Sequence, residues 1–182
     1  QCEQLGAYFR SRGQRFAALM SGTLQRHDES LAGILRGMGD AAPTAPALRL
    51  PTLNEYDSEA LIRAVHGGAL VPGDSPEIRR HHFRLLRDAL ARWMAGSIHS
   101  PGMPSFAEFA AGVSAALAEA GRRQDDEDVL IVSSGGPIAT AIARVLGTPP
   151  EVVIDLNMRM RNTAISELAI TPRRLALQTY NT

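Results

Sequence analysis

Apolar residues at Leu5, Phe9 and Phe16 alternate with arginines and glutamines at approximately helical spacing, and Gly13 interrupts them. This predicts the end of a helix running into a turn. Ala17–Met20 is a short apolar run and reads as a strand. Ser21-Gly22-Thr23 is a loop with helix-capping chemistry, and Leu24–Gly37 reads as a helix with Leu31, Ile34 and Leu35 on one face. From Asp40 to Pro51 the chain turns to Ala, Pro and Thr, the composition of a surface connector. A helix is predicted over Ser58–Val65 and a loop over His66–Pro76, which carries Gly67, Gly68, Pro72 and Gly73. A second long helix follows over Glu77–Ala95, with Phe83, Leu86, Leu90 and Trp93 as its apolar stripe. Ser105 is a natural N-cap for a further helix over Phe106–Gly121.

The strongest local signal is the run Val129-Leu130-Ile131-Val132 behind the acidic turn Asp125-Asp126-Glu127-Asp128. Four consecutive apolar residues fit a parallel strand buried on both faces, in the interior of a sheet. Ser133-Ser134-Gly135-Gly136-Pro137 then opens a helix through Leu146, with proline in the first turn, where its missing N–H would have had no helical partner. Val152–Arg161 is helical in pattern. Ala164–Ala169 and Leu175–Tyr180 read as two strands separated by a turn at Thr171-Pro172-Arg173. Helices alternating with buried strands predict an α/β fold, a three-layer α/β/α sandwich with a mostly parallel sheet, in one domain over 1–182.

The 182 residues are 45% hydrophobic and 21% charged, which removes the chain from the disordered class. Formal net charge is zero, so no global field draws nucleic acid or anionic lipid, and an anion must be recognised by locally placed groups. All nineteen basic residues are arginine, a bias that fits a GC-rich bacterial genome. Cys2 is the single cysteine, which excludes an intramolecular disulfide and a cysteine metal cluster and fits a reducing cytoplasm. No run is long enough to span a membrane.

Three groups carry candidate chemistry. A strand ending in Ser-Ser-Gly-Gly-Pro and entering a helix suits anion binding, because free N–H groups and the helix dipole converge where glycine permits close approach; Ser134 and Gly135 are its phosphate-binding candidates. Arg26 lies near the start of a helix just beyond a strand end, the edge of an open α/β sheet where ligands bind, and suits a phosphate clamp. Glu55, in Leu-Asn-Glu-Tyr-Asp, is the candidate catalytic acid. His27 adjoins Arg26 and is read as an exposed helix position, while His81 and His82 are read as a polar helix face.

Taken in order, these segments resemble the histidine phosphatase, or phosphoglycerate mutase-like, superfamily. Ser21-Gly22-Thr23-Leu24-Gln25-Arg26 is similar to the segment in which a strand ends in serine and the next helix carries a phosphate-binding arginine. Leu53-Asn54-Glu55-Tyr56-Asp57 resembles the segment of the acidic proton donor. Val132-Ser133-Ser134-Gly135-Gly136 falls where the family has a second histidine before glycine, and Leu156–Leu168, with Asn157, Arg161 and Asn162, resembles the closing helix and strand.

Two departures stand against the pattern. The family's Arg-His-Gly motif on the first strand, source of the phosphorylated histidine, has no counterpart around His27, His66, His81, His82 or His99; the expectation is that the sequence given lacks that first strand. Ser134 stands where the second catalytic histidine belongs.

The resemblance implies a phosphatase acting on a small phosphate monoester through a phosphohistidine, with Glu55 as acid and Arg26 as clamp. It implies no cofactor, metal, nucleic acid or membrane partner. The alternative is a non-catalytic anion-binding or scaffolding member of the same fold. An acyl hydrolase using Ser133 or Ser134 is disfavoured by the absence of Gly-x-Ser-x-Gly and of a downstream histidine base.

Overall fold

The computed structural model describes residues 1–68, 72–73, 75–123, 128–171 and 174–182. Helix α1 (Cys2–Ser11) ends in a turn at Gly13, whose φ of 65° is the left-handed region that glycine adopts readily. It leads into β1 (Phe16–Ser21), then α2 (Gln25–Met38) and a short strand β2 (Leu48–Arg49). Helices α3 (Ser58–Val65), α4 (Pro76–Met94) and α5 (Phe106–Arg123) follow. The chain then returns through β3 (Asp128–Val132), α6 (Gly135–Leu146), α7 (Val152–Met158), β4 (Glu167–Thr171) and β5 (Arg174–Thr179).

β1 is the centre of a three-stranded parallel sheet of order β2-β1-β3, and β4 and β5 form an antiparallel pair. Alternation along the strands shows the layers. Leu19, Leu130 and Val132 face α1 and α2, packing with Phe9, Leu31, Ile34 and Met38. Met20, Val129 and Ile131 face the other way, onto Ala116 and Ala120 of α5. The parallel sheet therefore has helices on both faces, the α/β/α arrangement expected. A larger cluster ties α3, α4, α5, α6 and α7 together through Leu61, Leu90, Trp93, Phe109, Val113, Ala141 and Ile154.

Several local expectations change. Val129–Val132 is a parallel strand, but among the described residues it pairs with β1 alone, so it is an edge of the three-stranded sheet and not its interior. The connector after Asp40 contains β2, whose two residues run parallel to Met20 and Ser21. Phe16 lies in β1, and Phe83 is 54% exposed on α4, leaving Leu90 and Trp93 as the buried part of that stripe. The helix after Leu146 stops at Met158. The acidic turn at 125–127, the turn residues 172–173 and positions 69–71 and 74 of the long loop lie outside the described residues.

Candidate active site

Parallel strands deliver their C-terminal ends to one edge of the sheet, and in this fold those ends meet: Ser21 of β1 is in register with Val132 of β3 and Arg49 of β2. The Gly22 N–H donates to the Val132 carbonyl at 3.1 Å, extending the ladder by one step beyond β1. The loop and helix that follow each strand therefore begin side by side. Arg26 and His27 in the first turn of α2 come against Ser134, the N-cap residue of α6.

Ser134 is the meeting point. Arg26 donates to its Oγ from Nε at 3.3 Å and from Nη2 at 3.1 Å, and His27 Nε2 lies 2.6 Å from the same oxygen. His27 is only 2% exposed, so the expectation of an exposed helix position is corrected. Its ring lies against the Gly22 backbone, where the lack of a side chain leaves the room it needs. Burial, together with the positive charges of Arg26 and Arg49, lowers its pKa, so near neutrality the ring is uncharged.

Glu55 arrives from the turn after β2. Its Oε2 accepts from the Gly136 N–H at 3.0 Å, placing a carboxyl on the N-terminus of α6, where the helix dipole favours an anion. Burial nonetheless dominates and raises its pKa, against the opposing pull of the Gly136 and Tyr56 backbone N–H groups and of Arg26. Glu55 Oε1 is buried and has no hydrogen-bond partner among the described residues. One carboxyl oxygen held by a backbone N–H and the other buried without a partner among the described residues fits a group whose protonated form is favoured.

Supporting contacts fix this frame. Ser133 Oγ donates to the Leu53 carbonyl at 2.7 Å, tying the end of β3 to the Glu55 segment. Asn157 Nδ2 donates to the Tyr56 hydroxyl at 2.6 Å behind the site, and burial pushes the Tyr56 phenol well above its ordinary range. Thr23 does not cap α2: its N–H donates to Asn54 Oδ1 at 2.6 Å and its Oγ1 accepts from Asn54 Nδ2 at 2.7 Å, joining the β1 loop to the Glu55 segment. Arg49 donates from Nε to the Gly22 carbonyl at 3.1 Å and pairs with Asp28.

The structure thus brings Arg26, Glu55, Ser134 and Gly135 to one sheet edge. It adds His27, Arg49, Asn54 and Asn157, which sequence reasoning did not select. The signal for His27 was its position beside Arg26. Its pairing with Ser134 joins residues far apart in the chain, and partners in a site need no particular chain order. No group of His, Cys, Asp and Glu suited to a metal ion occurs among the described residues.

A cavity of about 1070 Å³ begins at these residues and continues along the sheet. Consecutive residues of β3 (Asp128–Val132) and of β4 (Glu167–Ile170) form its two long sides. Leu5, Phe9 and Ile34 line it from α1 and α2, and Val113, Leu117 and Ala141 from α5 and α6. It is a slot between two strand edges, with helices above and below.

The whole chain, residues 1–182, matches the model of the histidine phosphatase superfamily (branch 1), and the protein belongs to that family. No curated protein matches it in sequence. Among solved structures it is similar to a mutant phosphoserine phosphatase from Entamoeba histolytica in complex with phosphoserine, with TM-score 0.63 and 16% identity over 100% of this chain and 80% of that one. It is also similar to the alpha-ribazole phosphatase from Shigella flexneri, with TM-score 0.62 and 22% identity over 99% and 81% of the two chains. A third is a mycobacterial glucosyl-3-phosphoglycerate phosphatase with inorganic phosphate, with TM-score 0.61 and 19% identity over 100% and 84%. No helix among the described residues is long and apolar enough to cross a membrane.

Proposed function

We propose that the protein is a phosphatase that hydrolyses a small phosphate monoester through a phosphohistidine. The observation that carries this reading is the convergence of Arg26, Ser134 and a half-buried Glu55 with a raised pKa at the C-terminal ends of β1 and β3. Family membership and the phosphatases among the similar structures support it.

Arg26 holds the phosphoryl oxygens as a charged donor, and Ser134 adds a hydroxyl. The nucleophilic histidine is carried by a strand of the full protein that seats in the slot between β3 and β4, which opens at the same residues. A histidine nitrogen attacks phosphorus, the ester P–O bond breaks, and the Glu55 carboxyl passes its proton to the leaving oxygen. Water then attacks phosphorus, the P–N bond breaks to free the histidine, the water's proton passes to Glu55, and phosphate leaves.

The test compares an activated aryl phosphate with an alkyl phosphate. An aryl leaving group needs little protonation, whereas an alkoxide needs the acid, so Glu55→Gln slows the alkyl ester by about 10²- to 10⁴-fold and the aryl ester far less. Arg26→Ala slows both, because both present the same phosphoryl group. Equal small effects of Glu55→Gln on the two esters would remove Glu55 as the acid. Phosphate binding by intact protein without turnover of either ester would make it an anion-binding member of the fold.

A further inference from the structure

His27 has a buried ring, one nitrogen 2.6 Å from Ser134 Oγ and the other, Nδ1, without a partner among the described residues. The hydrogen-bonding capacity of Ser134 decides what this arrangement does. A hydroxyl has one proton and two lone pairs, and a guanidinium donates only. Both Arg26 contacts therefore run from nitrogen to the serine oxygen, and their shared, forked geometry occupies one lone pair.

The remaining question is which way the His27 bond runs. If Ser134 donated to Nε2, the neutral ring would carry its proton on Nδ1, leaving a buried N–H unsatisfied. If Nε2–H donates to Ser134, the unsatisfied atom is only a bare nitrogen lone pair. Orphaned N–H groups are the rarer and costlier defect. The second arrangement fills both serine lone pairs and leaves the Oγ–H for the pocket.

Resting on the phosphatase reading, we propose that His27 is a positioning residue for phosphate recognition: its Nε2–H fixes Ser134 as a hydrogen-bond donor to a phosphoryl oxygen. An imidazole from α2 thereby acts through the serine at the start of α6, the position where the family pattern has a histidine. The surrounding charges agree. Arg26 and Asp28 flank His27 on α2, Arg49 reaches it from β2, and the lowered pKa keeps the ring neutral, with a single N–H to give.

The experiment is a double-mutant cycle on the full protein, with inorganic phosphate as the ligand and its affinity read by calorimetry. His27→Leu, which keeps bulk and loses the donor, weakens binding about tenfold, and Ser134→Ala does the same. The double variant His27→Leu/Ser134→Ala binds no more weakly than Ser134→Ala alone, since His27 acts through that hydroxyl. His27→Gln, whose amide N–H donates at similar reach, restores affinity to within about threefold of wild type.

A His27 that acts on phosphate separately from Ser134 would give independent losses multiplying to about a hundredfold, and that result overturns the proposal. So does unchanged affinity in His27→Leu, or a wild type that binds no phosphate. Should His27→Leu fail to fold, imidazole ¹⁵N spectra of the wild type decide: an Nε2–H tautomer supports the assignment and an Nδ1–H tautomer rejects it. Coupled binding without ester turnover would sustain this inference while removing the phosphatase reading. Turnover with uncoupled variants would do the reverse.

Discussion

A β-carbon at Gly136 would overlap Glu55 Oε1 and crowd the Tyr56 ring, and one at Gly22 would overlap the His27 imidazole. Both glycines are thus kept small by side chains of the candidate site. Gly136→Ala is expected to cost about 1–3 kcal/mol of stability through overpacking and to dislodge the Glu55 carboxyl, lowering turnover of alkyl esters more than of aryl ones.

Glu55 also has a stability signature. Because its folded pKa is raised, the native state binds the proton more tightly than the unfolded chain. The associated stability is complete below the unfolded value of about 4.3 and is lost as pH rises through the folded pKa. Glu55→Gln cannot ionise, so its Tm should match wild type near pH 4 and exceed it increasingly toward neutrality. A Tm difference independent of pH would show that the carboxyl is not destabilised by burial. At this scale the sequence was partly legible. Arg26, Glu55 and Ser134 stood in ordered motifs, whereas the burial of His27 depends on the meeting of two loops 107 positions apart and leaves no local pattern.

Elements with strong local chemistry formed as expected. Helix α5 starts where Ser105 and Glu108 make a reciprocal capping box: the Ser105 backbone N–H donates to Glu108 Oε2 at 2.8 Å, and the Glu108 N–H to Ser105 Oγ at 3.3 Å. Helix α3 is capped by the Asp57 carboxylate, which accepts from the Ala60 N–H at 2.9 Å. Ser105→Ala should cost about 1 kcal/mol, a Tm loss of about 2–4 °C read by calorimetry, with turnover unchanged because α5 meets the site only through its packing. A loss of activity beyond the loss of folded protein would contradict that separation. The strand β2 was not legible, since two residues inside an Ala-Pro-Thr connector carry no periodicity and are ordered by pairing with Met20 and Ser21. The capping chemistry of Ser21-Gly22-Thr23 was legible but misdirected. Asn54 takes both the Thr23 N–H and its hydroxyl, so those groups fasten two site loops in place of a helix end.

At the scale of the molecule, the layers followed from four apolar residues in a row, but the position of β3 in the sheet did not. A continuous apolar run says that a strand is covered on both faces; it says nothing of how many neighbours lie beside it in the sheet. In the structure the faces of β3 are covered, yet its second edge looks into the slot toward β4. Backbone N–H and C=O groups along such an edge need partners, which a further strand or water can supply. One extended segment seated between β3 and β4 would satisfy both edges, continue the sheet from β2 through to β5, and end beside Arg26 and Ser134. Amide hydrogen exchange on the full protein distinguishes the cases. With the slot filled by a strand, every amide of Asp128–Val132 exchanges slowly, those facing β4 as slowly as those bonded to β1. With the slot open, protection along β3 alternates, and the amides turned away from β1 exchange orders of magnitude faster than their neighbours. The alternating pattern would deny the nucleophile its proposed seat, whereas uniform protection would bring the strand's end to the proposed phosphate site.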